Sequence, residues 1–238
     1  TSLRRVSADS QMPVLREHLF RGKATGSKTS DENRMRAALI PFAAMAFLAA
    51  CQPSPPSQNS EVQAQQMQLA VRPPMRWSER EGSAAWTKAT LAALDREGVT
   101  MLSKVPHDID AYCPNYASLT DTGRKAFWAG LLSALAKHES TYNPKASGGG
   151  GRWLGLMQIA PATWNTYDCD GSITNGADNM ACAVRIMSHQ VGRDNAVARD
   201  DSGKWRGVAR DWAPMRSPAK RADIAAWTSS QSYCSPQI

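Results

Sequence analysis

The sequence predicts a mainly α-helical domain with one small irregular or β element, on three observations. Apolar residues recur at helical spacing from Ser83 to Gly98 and again from Asp121 to Ser140, and a glycine-rich stretch from Ser147 to Gly155 then breaks the pattern. The 238 residues are 42% hydrophobic and 21% charged, which suits one mid-sized domain with some unpacked sequence besides.

Residues 1–34 are polar, lack periodicity and stand before Met35, so they are read as an upstream segment outside the mature protein. Residues 35–50 read as a signal peptide. The apolar run Ala37 to Ala50 follows Arg34 and Arg36, and its 14 residues fall short of the roughly 20 that span a bilayer. The run ends Leu48-Ala49-Ala50-Cys51, which resembles the lipobox of bacterial lipoproteins. That resemblance implies lipidation of Cys51 and a membrane attachment through the lipid. With Gln52 rather than aspartate next, it also implies the periplasmic face of the outer membrane. Residues 51–78 are rich in Pro, Gln and Ser and are read as a flexible tether, since they offer little apolar surface to offset the cost of ordering. Residues 79–238 are read as the folded domain.

The net charge of +7 invites a nucleic-acid reading, but its placement argues against one. Residues 1–50 hold eight Lys/Arg against four Asp/Glu, leaving +3 from Cys51 onward, and no basic run is interleaved with aromatics. No nucleic-acid partner is expected.

In the first helical stretch Trp86, Leu91 and Leu94 share a core face, and Gly98 is placed to end it. In the second, Thr120 or Asp121 is placed as the N-cap. Trp128, Leu132, Leu135 and Glu139 fall at i, i+4, i+7 and i+11, so the glutamate continues an apolar stripe. A carboxyl in apolar company at a helix C-terminus is disfavoured as an anion by desolvation and by the helix dipole. Its pKa is expected to rise, as a general acid near neutral pH requires.

The segments His138-Glu139-Ser140, Tyr142-Asn143-Pro144 and Gly155-Leu156-Met157-Gln158-Ile159 together resemble the soluble lytic transglycosylase domain. The resemblance runs from about Phe127 to Trp212 and implies a lysozyme-like fold that cleaves the glycan strands of peptidoglycan. It assigns Glu139 as catalytic acid/base, Ser140 beside it, and Met157 and Gln158 to substrate contact. Pro161 suits the first position of a short following helix, and Asn179 opens a segment similar to the family's asparagine-led helix. One departure comes at Asp211-Trp212, where the family has a tyrosine facing the glutamate; Trp212, or else Asp211, takes that place.

No second carboxylate is placed for catalysis, because Asp168, Asp170, Asp178 and Asp194 sit in turn or cap contexts. One acid fits a transglycosylase, in which the substrate's own groups do the rest. The alternatives are a lysozyme-like muramidase and a wall-binding lipoprotein without catalysis. With Cys51 assigned to lipid, Cys113, Cys169, Cys182 and Cys234 remain, an even number consistent with export. Of three possible pairings, Cys169–Cys182 and Cys113–Cys234 are expected. No CxxC or HExxH spacing occurs and the histidines are scattered, so neither metal nor cofactor is expected.

Overall fold

A computed structural model describes residues 58–235. The upstream segment, the signal peptide and Cys51 lie outside the described residues.

Among the described residues there are seven α-helices and one two-stranded hairpin: α1 (Gln58–Val71), α2 (Ser83–Glu97), α3 (Val99–Leu102), α4 (Asp121–Glu139), β1 (Ser147–Gly148), β2 (Trp153–Leu154), α5 (Pro161–Thr166), α6 (Gly176–Asp194) and α7 (Pro218–Ser229). Short 3-10 turns join several of them. The mainly α reading and the small β element in the glycine-rich stretch are both realised. No helix among the described residues is long and apolar enough to cross a membrane.

The tether reading needs correction. Residues 58–71 form α1, and Thr120 Oγ1 donates to Gln66 Oε1 at 3.0 Å, tying α1 to the start of α4. Its Gln, Ala, Glu and Met residues are good helix formers, a local preference that a composition argument overlooks. Met75 and Trp77 are buried as well, so the folded unit begins before residue 79. Trp77 donates from Nε1 to Thr87 Oγ1 at 2.9 Å and packs edge-on to Trp86, with ring centroids 5.8 Å apart.

Helix α4 is the axis of the core. Every residue from Ala126 to Ala136 is buried, so α4 is enclosed on all sides rather than along one stripe. Thr120 caps its start, accepting from the Gly123 N–H at 3.3 Å. Trp128 donates from Nε1 to the Tyr116 hydroxyl at 2.8 Å, which satisfies the one polar atom of a fully buried indole. At Gly130 the Tyr233 ring approaches so closely that an added Cβ would stand 2.0 Å from its hydroxyl. Helix α2 packs against α6, and α7 against α4. Gly98 does end α2, but in a right-handed conformation, so the chain turns straight into α3.

Two disulfides close the unit, Cys113–Cys234 and Cys169–Cys182. The first ties the chain's C-terminal end to the turn before α4. The second links the loop after α5 to α6.

Candidate active site

Glu139 is the last residue of α4, and the chain leaves the helix abruptly behind it. Thr141 and Tyr142 both have left-handed backbone, at φ 52° and 65°, a conformation that costs a non-glycine residue about 1–2 kcal/mol. Two anchors hold the turn: the Asn143 N–H donates to Ser140 O at 3.1 Å, and the Arg80 guanidinium lies 5.1 Å from the centroid of the buried Tyr142 ring. Ser140 caps the helix, its N–H donating to Ala136 O at 3.1 Å.

The Glu139 side chain is only partly exposed and makes no hydrogen bond or ion pair among the described residues. Burial pushes its carboxyl up to about 7, against the opposing pull of the Lys220 and Arg216 charges. At neutral pH the group is therefore poised to give or take a proton.

A neighbouring carboxylate does the opposite job. Asp223 of α7 is held well below the usual carboxylate range, first by Arg76, which grips it at 2.6 and 2.9 Å, and then by His138, whose Nε2 is 2.6 Å away. Lys137 adds its ammonium at 3.5 Å. This cluster locks the last turn of α4 to α7 and to the segment before α2, fixing the backbone that carries Glu139.

The segment Leu154 to Ile159 forms a tight loop closed by mutual backbone bonds, Leu154 N–H to Ile159 O at 3.0 Å and Ile159 N–H to Leu154 O at 2.9 Å. Asn179, fully buried on α6, stitches it: Oδ1 accepts from the Met157 N–H at 2.8 Å, and Nδ2 donates to Ile173 O at 2.8 Å and Leu154 O at 3.3 Å. Gln158 has φ 49°, and its Nε2 donates to Gly155 O at 2.9 Å and Ala146 O at 3.2 Å. The side chain read as a substrate contact thus spends its amide protons on the loop, leaving Oε1. Met157 is fully buried, and its side chain belongs to the core. Trp212 is also nearly buried, donating from Nε1 to Met157 O at 2.9 Å, which makes it a brace for the loop.

Gly155 is required here, at φ 80°, with its N–H on Ala146 O at 3.0 Å. An added Cβ would come 2.3 Å from Asn179 Nδ2 and 2.4 Å from Ile173 O. Gly155→Ala is therefore expected to cost about 2–4 kcal/mol, read as a lower urea midpoint. A midpoint within error of wild type would contradict the stitched-loop account.

Beside this loop is a depression lined by Trp153, Gln158, Ile159, Thr163, Asp211 and Trp212, among others. Asp211 presents its carboxyl there; its Oδ2 accepts from Gln190 Nε2 at 2.6 Å, and desolvation raises its pKa. Arg216 bears on both Glu139 and Asp211, so one guanidinium serves two carboxyls. Sequence reasoning missed the roles of Asn179 and Asp223. Asp223 carries no local signal, since its partner Arg76 is 147 positions away.

The chain resembles known proteins in sequence and in fold. Residues 118–206 match the family model described as the transglycosylase SLT domain. A solved wild-type structure of the protein DslA is 29% identical, covers 68% of this chain and 98% of its own, and superposes with a TM-score of 0.62. Two variants of DslA, each with a different glutamate replaced by glutamine, match at 29% and 28% identity, with TM-scores of 0.62 and 0.60; both cover 68% of this chain and 97% of their own. No curated protein matches. Residues 118–206 are thus similar to the transglycosylase SLT domain, within a mostly helical fold that carries one small two-stranded sheet.

Proposed function

We propose that this domain is a peptidoglycan lytic transglycosylase that cleaves the MurNAc–GlcNAc β-1,4 bond with Glu139 as its single acid/base. The observation that carries the reading is the partly buried Glu139 carboxyl, which has no partner among the described residues and is pushed up to about 7. Protonated, it gives its proton to the glycosidic oxygen as the bond to C1 breaks. The sugar's own acetamido group stabilises the cationic centre. Glu139 then takes the proton of the C6 hydroxyl, whose oxygen bonds to C1 and leaves a 1,6-anhydroMurNAc end.

The muramidase alternative needs water in place of that hydroxyl and, in most glycosidases, a second carboxylate. Asp211, the other carboxyl that desolvation raises, already has its Oδ2 engaged by Gln190 Nε2 at 2.6 Å. Digestion of purified sacculi tests the enzyme reading: soluble glycan fragments are expected, and binding without release would leave only the non-catalytic alternative.

The domain is further proposed to be lipid-anchored through Cys51, on the periplasmic face of the outer membrane, which the lipobox-like Leu48-Ala49-Ala50-Cys51 and Gln52 support. Incorporation of a fatty-acid analogue is expected in the wild type and lost in Cys51→Ala. Equal labelling of both would refute the anchor.

A further inference from the structure

The hairpin displays an aromatic ring that the fold does not use. Among the exposed large apolar side chains of the described residues, Trp153 alone is aromatic, at 42% exposure. Opposite it in the hairpin register stands Gly148, which has no side chain to cover the ring. The ring is nonetheless held in place. Arg152 lies with its guanidinium carbon 4.8 Å from the ring centroid, and its Nε donates to Gly149 O at 3.1 Å. Gly149 backs the ring so closely that an added Cβ would be 2.3 Å from it. A large indole fixed in one orientation and still 42% exposed is suited to a ligand.

Asp211 lines the same depression. Gln190 occupies its Oδ2, and Oδ1 has no hydrogen-bond partner among the described residues. A pyranose ring matches this pair, because its axial C–H groups form an apolar face for an aromatic ring while its edge hydroxyls donate to a carboxylate.

We infer that Trp153 and Asp211 form a saccharide subsite, with one sugar of the glycan strand stacked on the indole and its hydroxyls donating to Asp211 Oδ1. This rests on the glycan-cleaving reading and deepens it by assigning substrate grip to the hairpin. Trp212, nearly buried and tied to Met157 O, braces the floor instead.

The test uses the full chain carrying Glu139→Gln, so that ligand is bound without turnover. The probe is a peptide-free hexasaccharide of alternating N-acetylglucosamine and N-acetylmuramic acid, titrated by calorimetry. Adding Trp153→Ala is expected to weaken binding about tenfold, Trp153→Phe to retain most of it, and Asp211→Asn to weaken it several-fold. Thermal melts of the Trp153 variants should match their parent, since the ring is exposed. Unchanged affinity in a folded Trp153→Ala protein would overturn the subsite and leave the function intact. Failure of the Glu139→Gln protein to bind the probe at all would overturn both.

Discussion

Glu139→Gln is expected to lower turnover on peptidoglycan by about 10²–10⁴-fold while leaving the protein folded, measured as release of soluble glycan from sacculi. Glutamine keeps the shape and hydrogen-bonding atoms but has no transferable proton. The stability effect has a definite sign. A free glutamate titrates at 4.5 and Glu139 at about 7, so between those values the native state holds a proton that the unfolded chain has released. Stability therefore falls as pH rises from about 4.5 to about 7 and stays lowered above that. Glutamine escapes this loss. The variant should melt with the wild type near pH 4 and be more stable at pH 8 by about 1–3 kcal/mol. Near-wild-type turnover by the folded variant would remove Glu139 from the mechanism.

Replacing Cys113 and Cys234 together by serine is expected to cost about 4–5 kcal/mol, because the bond closes a loop between residues 121 positions apart. It also frees Tyr233, the neighbour of Cys234, which packs directly on Gly130 of the central helix. The same change at Cys169 and Cys182, 13 positions apart, should cost less, about 3 kcal/mol. Urea unfolding of the two double variants checks the order. Equal midpoints would show that neither loop length nor the Tyr233 contact governs stability here.

Much of the frame was legible because its signals are local. Periodicity marked α2 and α4, Thr120 marked a cap, Pro161 the start of α5, and the glycine run the hairpin. Apolar neighbours on a helix were enough to predict a raised Glu139 pKa. What stayed hidden depends on contacts between distant segments. Helix α1 reads as a tether because its residues are polar, yet it is helical and reaches α4 through Gln66. Asp223 looks like any helix aspartate until folding brings Arg76 and His138 to it. The motif residues Met157 and Gln158 read as cleft wall, whereas Met157 is core and Gln158 holds the turn with its own amide. Asp211 and Trp212 are adjacent in sequence, and only packing separates the carboxyl in the depression from the indole bracing the loop.

The most direct test of a single acid/base at Glu139 is the mass of the glycan ends released from sacculi by the wild-type protein. Transglycosylation predicts ends one water lighter than reducing sugars, the mark of an internal 1,6-anhydro bond formed by the C6 hydroxyl. Reducing ends of full mass, carrying oxygen from labelled water, would show that water is the acceptor and contradict the account.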